Sequence, residues 1–222
     1  MKFSPYFVAI TAFFVTSLVI ANVLAVKLVE IGDRVFPAGL VVFPLSYLLG
    51  DVLTEVYGFR AARSVIWLGF ACNLLAIGAI QIAIKLPPAG FYTGQKAYAE
   101  TLGTTSRIFV ASLAAYIVGE LANSAVLARM KIATRGRYLW TRTLGSTVVG
   151  EGLDSLVFVT LAFGGRAPLL DPILTTWAIK VVWEGTATPL TYLLVNTLKR
   201  REGIDVYEDP LSGARSAILE RR

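Results

Sequence analysis

The sequence predicts an all-α integral membrane protein, a six-helix bundle compatible with two inverted three-helix repeats. Three observations predict it. Hydrophobic residues make up 55% of the 222 and charged ones 16%, against roughly 25% charged in an ordinary soluble domain. The mean hydropathy is +0.65. Six apolar runs, each close to the roughly 20 residues that cross a hydrocarbon core, follow one another with short links. The organisation read from this is a transmembrane domain over 1–198 and a polar cytoplasmic tail over 199–222, with no room for a separate soluble enzyme.

The spans are expected near Pro5 to Leu28, Gly39 to Tyr57, Ser64 to Ile84, Ile108 to Ala128, Leu144 to Phe163 and Pro172 to Leu198. The first begins behind Lys2, as a secretory signal would, but its apolar run is too long for a signal core and no clear small-residue cleavage site follows, so it reads as a retained helix. The link from Pro87 to Ser106 is the longest on its side and reads as a folded flap or a plain connector. Part of the tail is expected to be disordered.

Six crossings place both termini on one side. The links on that side carry Lys2, Arg60, Arg63, Arg129, Lys131, Arg135, Arg137, Arg142 and the basic residues of the tail; the opposite links carry Arg34, Lys85, Lys96, Arg107 and Arg166. The positive-inside rule therefore puts both termini in the cytoplasm. It also accounts for the net charge of +6 without nucleic acid. The run from Arg129 to Arg142 is expected to meet lipid headgroups.

Histidine is absent and Cys72 is the single cysteine. That excludes His general bases, His-ligated haem, most zinc or di-iron sites and any intrachain disulfide. No cofactor or metal is expected.

The chemistry lies in ionisable groups within the spans: Lys27, Asp51, Glu55, Glu120, Glu151, Asp154, Lys180 and Glu184. Such groups are expensive in a bilayer and point to function. With a rise of about 1.5 Å per residue and a core of about 30 Å, Asp51, Glu120, Asp154 and Glu184 each fall near the midplane of a different helix. Glu55 and Glu151 fall nearer the cytoplasmic ends. Glu55 is expected near Arg60 and Arg63, and Lys180 is placed to pair with Glu184 at i, i+4. Tyr116, Glu120 and Asn123 share one helical stripe, and Glu151, Asp154 and Ser155 lie together. Asn22, Asn73 and Asn123 serve either the site or interhelical hydrogen bonding. Pro189 deprives the Gly185 carbonyl of its helical partner. Acids with amides and few bases suit a cation or a neutral heterocycle presenting N–H donors, with Tyr47, Trp67, Tyr116, Trp183 and Tyr192 available to stack. The candidate substrate-binding set is Asn22, Asp51, Glu55, Asn73, Glu120, Asn123, Glu151, Asp154, Ser155, Lys180 and Glu184.

A faint echo at a spacing of about 100 residues relates Asn22 to Asn123 and Gly50-Asp51 to Gly150-Glu151, the kind of internal repeat that inverted-topology transporters carry.

Several segments carry a family likeness: Asn22 to Lys27, FPLSYLLGDVLTEVYG from Phe43, GFACN around Asn73, GELANS from Gly119, GEGLDSLVF from Gly150, KVVWEGTATPLTY from Lys180 and LKRREGIDVYE from Leu198. The chain resembles the queuosine precursor transporter family, also called the vitamin uptake transporter family. That resemblance implies a six-helix bacterial importer of 7-deazaguanines such as preQ0, preQ1 or queuine, used in tRNA modification. It also implies a purine-like substrate, a lipid bilayer around the protein, no nucleic-acid partner and no enzymatic activity. A homodimer is expected without a specified interface. Two rivals remain at this point: a substrate-binding subunit of an energy-coupling vitamin importer and an intramembrane aspartyl enzyme. No phosphate-cradling nucleotide loop is present.

Overall fold

The computed structural model describes residues 4–25, 27–31, 34–103, 106–165 and 169–211. The chain is helical, with one short hairpin. Helix α1 spans Pro5–Leu24, capped by the Ser4 hydroxyl, which accepts from the Phe7 N–H at 3.0 Å, with proline in the first turn. It ends four residues before the expected limit because Leu28–Ile31 (β1) pairs antiparallel with Arg34–Pro37 (β2). Lys27 therefore sits exposed in the turn ahead of the hairpin, outside the helix. A 3₁₀ turn, Ala38–Val41, leads into α2, Phe43–Val52.

Helix α2 is the axis of the bundle. Its Leu48, Leu49 and Val52 are buried with Phe14 and Leu18 of α1, Val65 and Ile66 of the helix that follows and Val195 of the last helix. The segment continues as one π turn, Leu53–Tyr57, and stops at Gly58, whose φ of +88° suits glycine. Single π turns inside helices occur often at functional sites.

Helices α3 (Phe59–Lys85), α5 (Ser106–Ala133), α6 (Leu139–Phe163) and α7 (Leu170–Glu202) all run longer than the expected spans. Between α3 and α5 the chain folds into a short α4, Gln95–Leu102, fastened by the Gln95 side chain donating to the Ile84 carbonyl at 2.8 Å. Helix α7 passes through Pro189 unbroken and ends at Gly203 in the left-handed conformation. Residues Ser212 to Arg222, where disorder was expected, lie outside the described residues, as do Lys2 and Arg166.

Among the described residues, four helices are long and apolar enough to cross a membrane: Pro5–Leu24, Phe59–Lys85, Val110–Ala133 and Leu139–Phe163. Their outward sides carry Phe13, Leu75, Ile82 and Val110, all largely exposed in the isolated chain, as lipid-facing surface would be. Helices α5 and α6 approach most closely where Gly119 meets Gly150. A Cβ on Gly150 would lie 2.6 Å from the Asn123 Cβ and 2.9 Å from the Gly119 carbonyl. Small residues permit such contact between membrane helices. Ala21 and Ala25 likewise face Gly39 within the same chain.

Candidate functional site

The Gly119–Gly150 crossing draws together the residues that follow each glycine. Glu120 and Glu151 stand on α5 and α6, and Asp51, after Gly50, faces them from α2. A Cβ on Gly50 would lie 3.2 Å from Glu120 Oε2. Three glycine-acid dipeptides thus converge because the missing side chains let the helices close around the carboxyls.

Asp51 is 1% exposed, Glu184 3% and Glu120 5%. Asp51 Oδ1 accepts from the Asn123 side-chain amide at 2.7 Å, while Asp51 Oδ2 and Glu184 Oε1 have no hydrogen-bond partner among the described residues. Lys180 is the cation of this centre. Its ammonium lies 2.6 Å from Glu151 Oε2, bonds to Asp154 Oδ2 and stands over the Tyr47 ring at 5.6 Å. The expected Lys180–Glu184 pair within α7 does not form. The salt bridges cross to α6 instead, where one ammonium meets two carboxylates rather than one.

Neither carboxylate oxygen of Glu120 has a hydrogen-bond partner among the described residues, and the buried Ser155 hydroxyl has none either. A buried acceptor of that kind carries its full desolvation cost. Glu151, expected near the cytoplasmic end, joins the centre because α6 starts at Leu139 rather than Leu144.

The remaining residues of the expected set sit elsewhere. Asn22 donates to Asn73 at 2.6 Å, and Asn73 donates to the Gly69 carbonyl at 2.9 Å, a bridge between α1 and α3. Tyr116 of α5 donates to the Ile66 carbonyl of α3 at 2.9 Å. Trp67 and Trp183 are about half exposed on the outside of the bundle.

Glu55 lies in a second cluster at the far end of the π turn. Its partners are not Arg60 and Arg63. Glu55 Oε1 is 3.2 Å from Arg142 Nη2, 2.6 Å from Lys199 Nζ and 3.7 Å from Lys131 Nζ. The tail completes this cluster. Asp205 Oδ1 lies 2.6 Å from Lys131 and 2.8 Å from Lys199. The Val206 N–H donates to the Val56 carbonyl at 3.2 Å, and Lys131 donates to the carbonyls of Glu55 and Val206. Carbonyls at a helix end lack internal donors, and here the lysine and the tail supply them. Glu208 accepts from the Arg60 N–H at 2.8 Å, capping α3. Burial alone would raise the Asp205 carboxyl, but hydrogen bonds from Lys131 and Lys199 hold it below the usual carboxylate range.

Lys131 and Arg142 are therefore buried partners of Glu55 rather than headgroup contacts. Sequence reasoning missed this network because its members come from α2, α5, α6, α7 and the tail, and no local spacing links them.

Residues 37–194 match the family described as "Putative vitamin uptake transporter", a stretch that includes every acid of the centre. The chain belongs to this family. Membership sets it among transporters and not among enzymes, so the intramembrane aspartyl reading is set aside. A relative in Bacillus subtilis (strain 168) described as "Probable queuosine precursor transporter" is 31% identical over 178 residues, which is 78% of each chain. A protein of Haemophilus influenzae (strain ATCC 51907 / DSM 11121 / KW20 / Rd) with the same description is 26% identical over 141 residues, covering 63% of this chain and 56% of its own. No solved structure matches. The matched stretch includes Glu55, Lys131 and Arg142 but ends before Lys199 and Asp205, so those two members of the second cluster lie outside it.

Proposed function

We propose that the chain imports queuosine precursors across a bacterial inner membrane by secondary transport, binding them at the central carboxyls. Glu120 carries this reading. It is a buried carboxylate with both oxygens open, and a 7-deazaguanine presents an N1–H and an exocyclic amine that one carboxylate accepts together. An aminomethyl arm, as on preQ1, would add a cation suited to the surplus of acids. Asp51, Glu151, Asp154, Lys180, Glu184, Asn123 and Ser155 complete the proposed site. Asn22 with Asn73 supports the wall beside it, and Glu55 closes one end.

The same reading has α2 with its π turn and α7 crossing beside the four apolar helices, giving six spans with both termini cytoplasmic and a lipid bilayer around the exposed apolar faces. The basic residues favour that orientation. The transport domain would then cover 1–198, with 199–222 as its cytoplasmic tail. The glycine-acid pairs at Gly50 and Gly150 are consistent with inverted halves. A homodimer would use outer faces, since Ala21 and Ala25 are engaged within the chain.

The test is uptake of labelled preQ1 and queuine into cells unable to make queuosine precursors. The wild type should restore uptake and Glu120→Gln should lower it at least about tenfold, a loss of roughly 1.4 kcal/mol. Absence of uptake by the wild type would remove the substrate assignment.

A further inference from the structure

Lys180 could pair along its own helix or across to the next, and it pairs across. Glu184 lies one turn along α7, at the i, i+4 spacing that favours a pair. The ammonium goes instead to Glu151 Oε2 at 2.6 Å and to Asp154 Oδ2, both on α6. Glu184 Oε1 is left without a hydrogen-bond partner among the described residues, as are Asp51 Oδ2, both carboxylate oxygens of Glu120 and Asn123 Oδ1. One ammonium thus divides the centre into two α6 acids that hold a cation and a set of open acceptors on α2, α5 and α7.

The two groups adjoin. Asp154, one partner of the lysine, packs on the residue before Glu120, since a Cβ on Gly119 would lie 2.7 Å from the Asp154 Cβ. From α2, the Tyr47 ring stands 5.6 Å from the ammonium, and one turn further Gly50 faces Glu120 Oε2. Two routes of contact therefore bring a fixed positive charge to the crossing where the open carboxylate stands. A ligand seated on Glu120 meets that charge, and a cation on the ligand finds Glu151 and Asp154 already taken. Like charges juxtaposed in a binding site cost affinity.

We propose that Lys180 is a specificity-determining residue, the site's own cation, which limits how far the centre favours a positively charged ligand over a neutral one. With Lys180 present, a ligand cation is left to Asp51 and Glu184; without it, the α6 acids become a second place for one. This rests on the transport reading above and adds the residue that sets the ligand's charge.

Proteoliposomes containing the whole chain test it with labelled preQ1, which carries the aminomethyl cation, and labelled preQ0, which lacks it. The readout is the ratio of their uptake efficiencies, Vmax over KM. Lys180→Met should shift that ratio toward preQ1 by at least about tenfold, and Lys180→Arg, which keeps the charge, should hold it near the wild-type value. Lys180→Met combined with Glu151→Gln removes one acid together with the base. That spares the fold two unpaired buried acids while leaving Asp154 open, and it should shift the ratio the same way. Uptake retained with an unchanged ratio in both Met variants would overturn the proposal.

A second measurement needs no substrate. Lys180→Ala, alone or with Glu151→Gln, leaves an ammonium-sized space beside Asp154, whose side chain is 21% exposed and so open to a small external cation. Methylammonium chloride should raise the melting temperature of these variants in detergent above that in equal sodium chloride, and should not do so for the wild type. No such rise in a folded variant would show that the α6 acids take no cation but the lysine, and would overturn the proposal whatever the substrate proves to be. Absence of preQ1 and preQ0 uptake by the wild type would remove the substrate assignment and leave the methylammonium result to decide the role of Lys180.

Discussion

One turn apart along the α2 segment, Asp51 and Glu55 belong to clusters of opposite balance. Asp51 sits among the carboxyls of Glu120, Glu151, Asp154 and Glu184 with Lys180 as the cation at hand. Glu55 sits among Lys131, Arg142 and Lys199, with Asp205 as the other acid. Both clusters are buried, so both incur the cost of removing charge from water. The second offsets that cost with a cation for each acid, whereas at the centre Lys180 pairs with Glu151 and Asp154 alone. A bundle shaped for stability alone would match its buried charges throughout, as the Glu55 end does. The centre leaves both Glu120 oxygens, Asp51 Oδ2 and Glu184 Oε1 without a hydrogen-bond partner among the described residues, which is the composition of a site awaiting a ligand. The Glu55 cluster joins the ends of four helix segments to the tail, as a closed end of that site would require.

Removing a charge should therefore have opposite consequences in the two places. Glu55→Ala strips the carboxylate that Lys131, Arg142 and Lys199 share. It should lower stability by about 3–5 kcal/mol, as expected when a buried ion pair loses one partner, measured by thermal unfolding in detergent. A loss below 1 kcal/mol would show that water already reaches this end. The next effect tests how tightly the centre is held. Gly150→Ala places a methyl group against Asn123 and should cost about 1–3 kcal/mol through overpacking, together with slower uptake. Wild-type stability and uptake in that variant would mean the α5–α6 crossing is looser than its contacts indicate.

A smaller effect separates the tail from the helices. The Asp205 carboxyl is held below the usual carboxylate range by Lys131 and Lys199. Its contribution to tail docking is present above the unfolded carboxylate range and is lost as the pH falls through the lower folded value. The protection of the Val206 amide, relative to its intrinsic exchange rate at each pH, should accordingly fall on strong acidification, and in Asp205→Asn it should be low already at neutral pH. Equal protection in the two proteins at neutral pH would show that the Val206–Val56 hydrogen bond holds the tail without the lysines.

How much of this was legible in the sequence varies with the range of the interaction. Apolar runs located every long helix, and the depth estimate brought Asp51, Glu120, Asp154 and Glu184 to one level, because rise per residue is a local property. The estimate failed for Glu151, whose depth was counted from Leu144 when α6 begins at Leu139. It also failed for Lys180, since i, i+4 spacing describes one helix and the acids across the α6–α7 contact were stronger competitors. The strand pair Leu28–Ile31 and Arg34–Pro37 falls in the link between the first two expected spans, where composition gives no sign of backbone pairing. The end cluster could not be read at all, although the left-handed Gly136 that accommodates Tyr207 is a local signal of close approach by the tail.

The central claim is that the centre serves the ligand and the Glu55 end serves the fold. Glu120→Gln tests it most directly, with thermal stability and uptake of labelled preQ1 measured on the same preparation. Glu120 has no partner to lose, so the melting temperature should stay level or rise while uptake falls at least about tenfold. A variant that melts early and still transports at the wild-type rate would contradict the account.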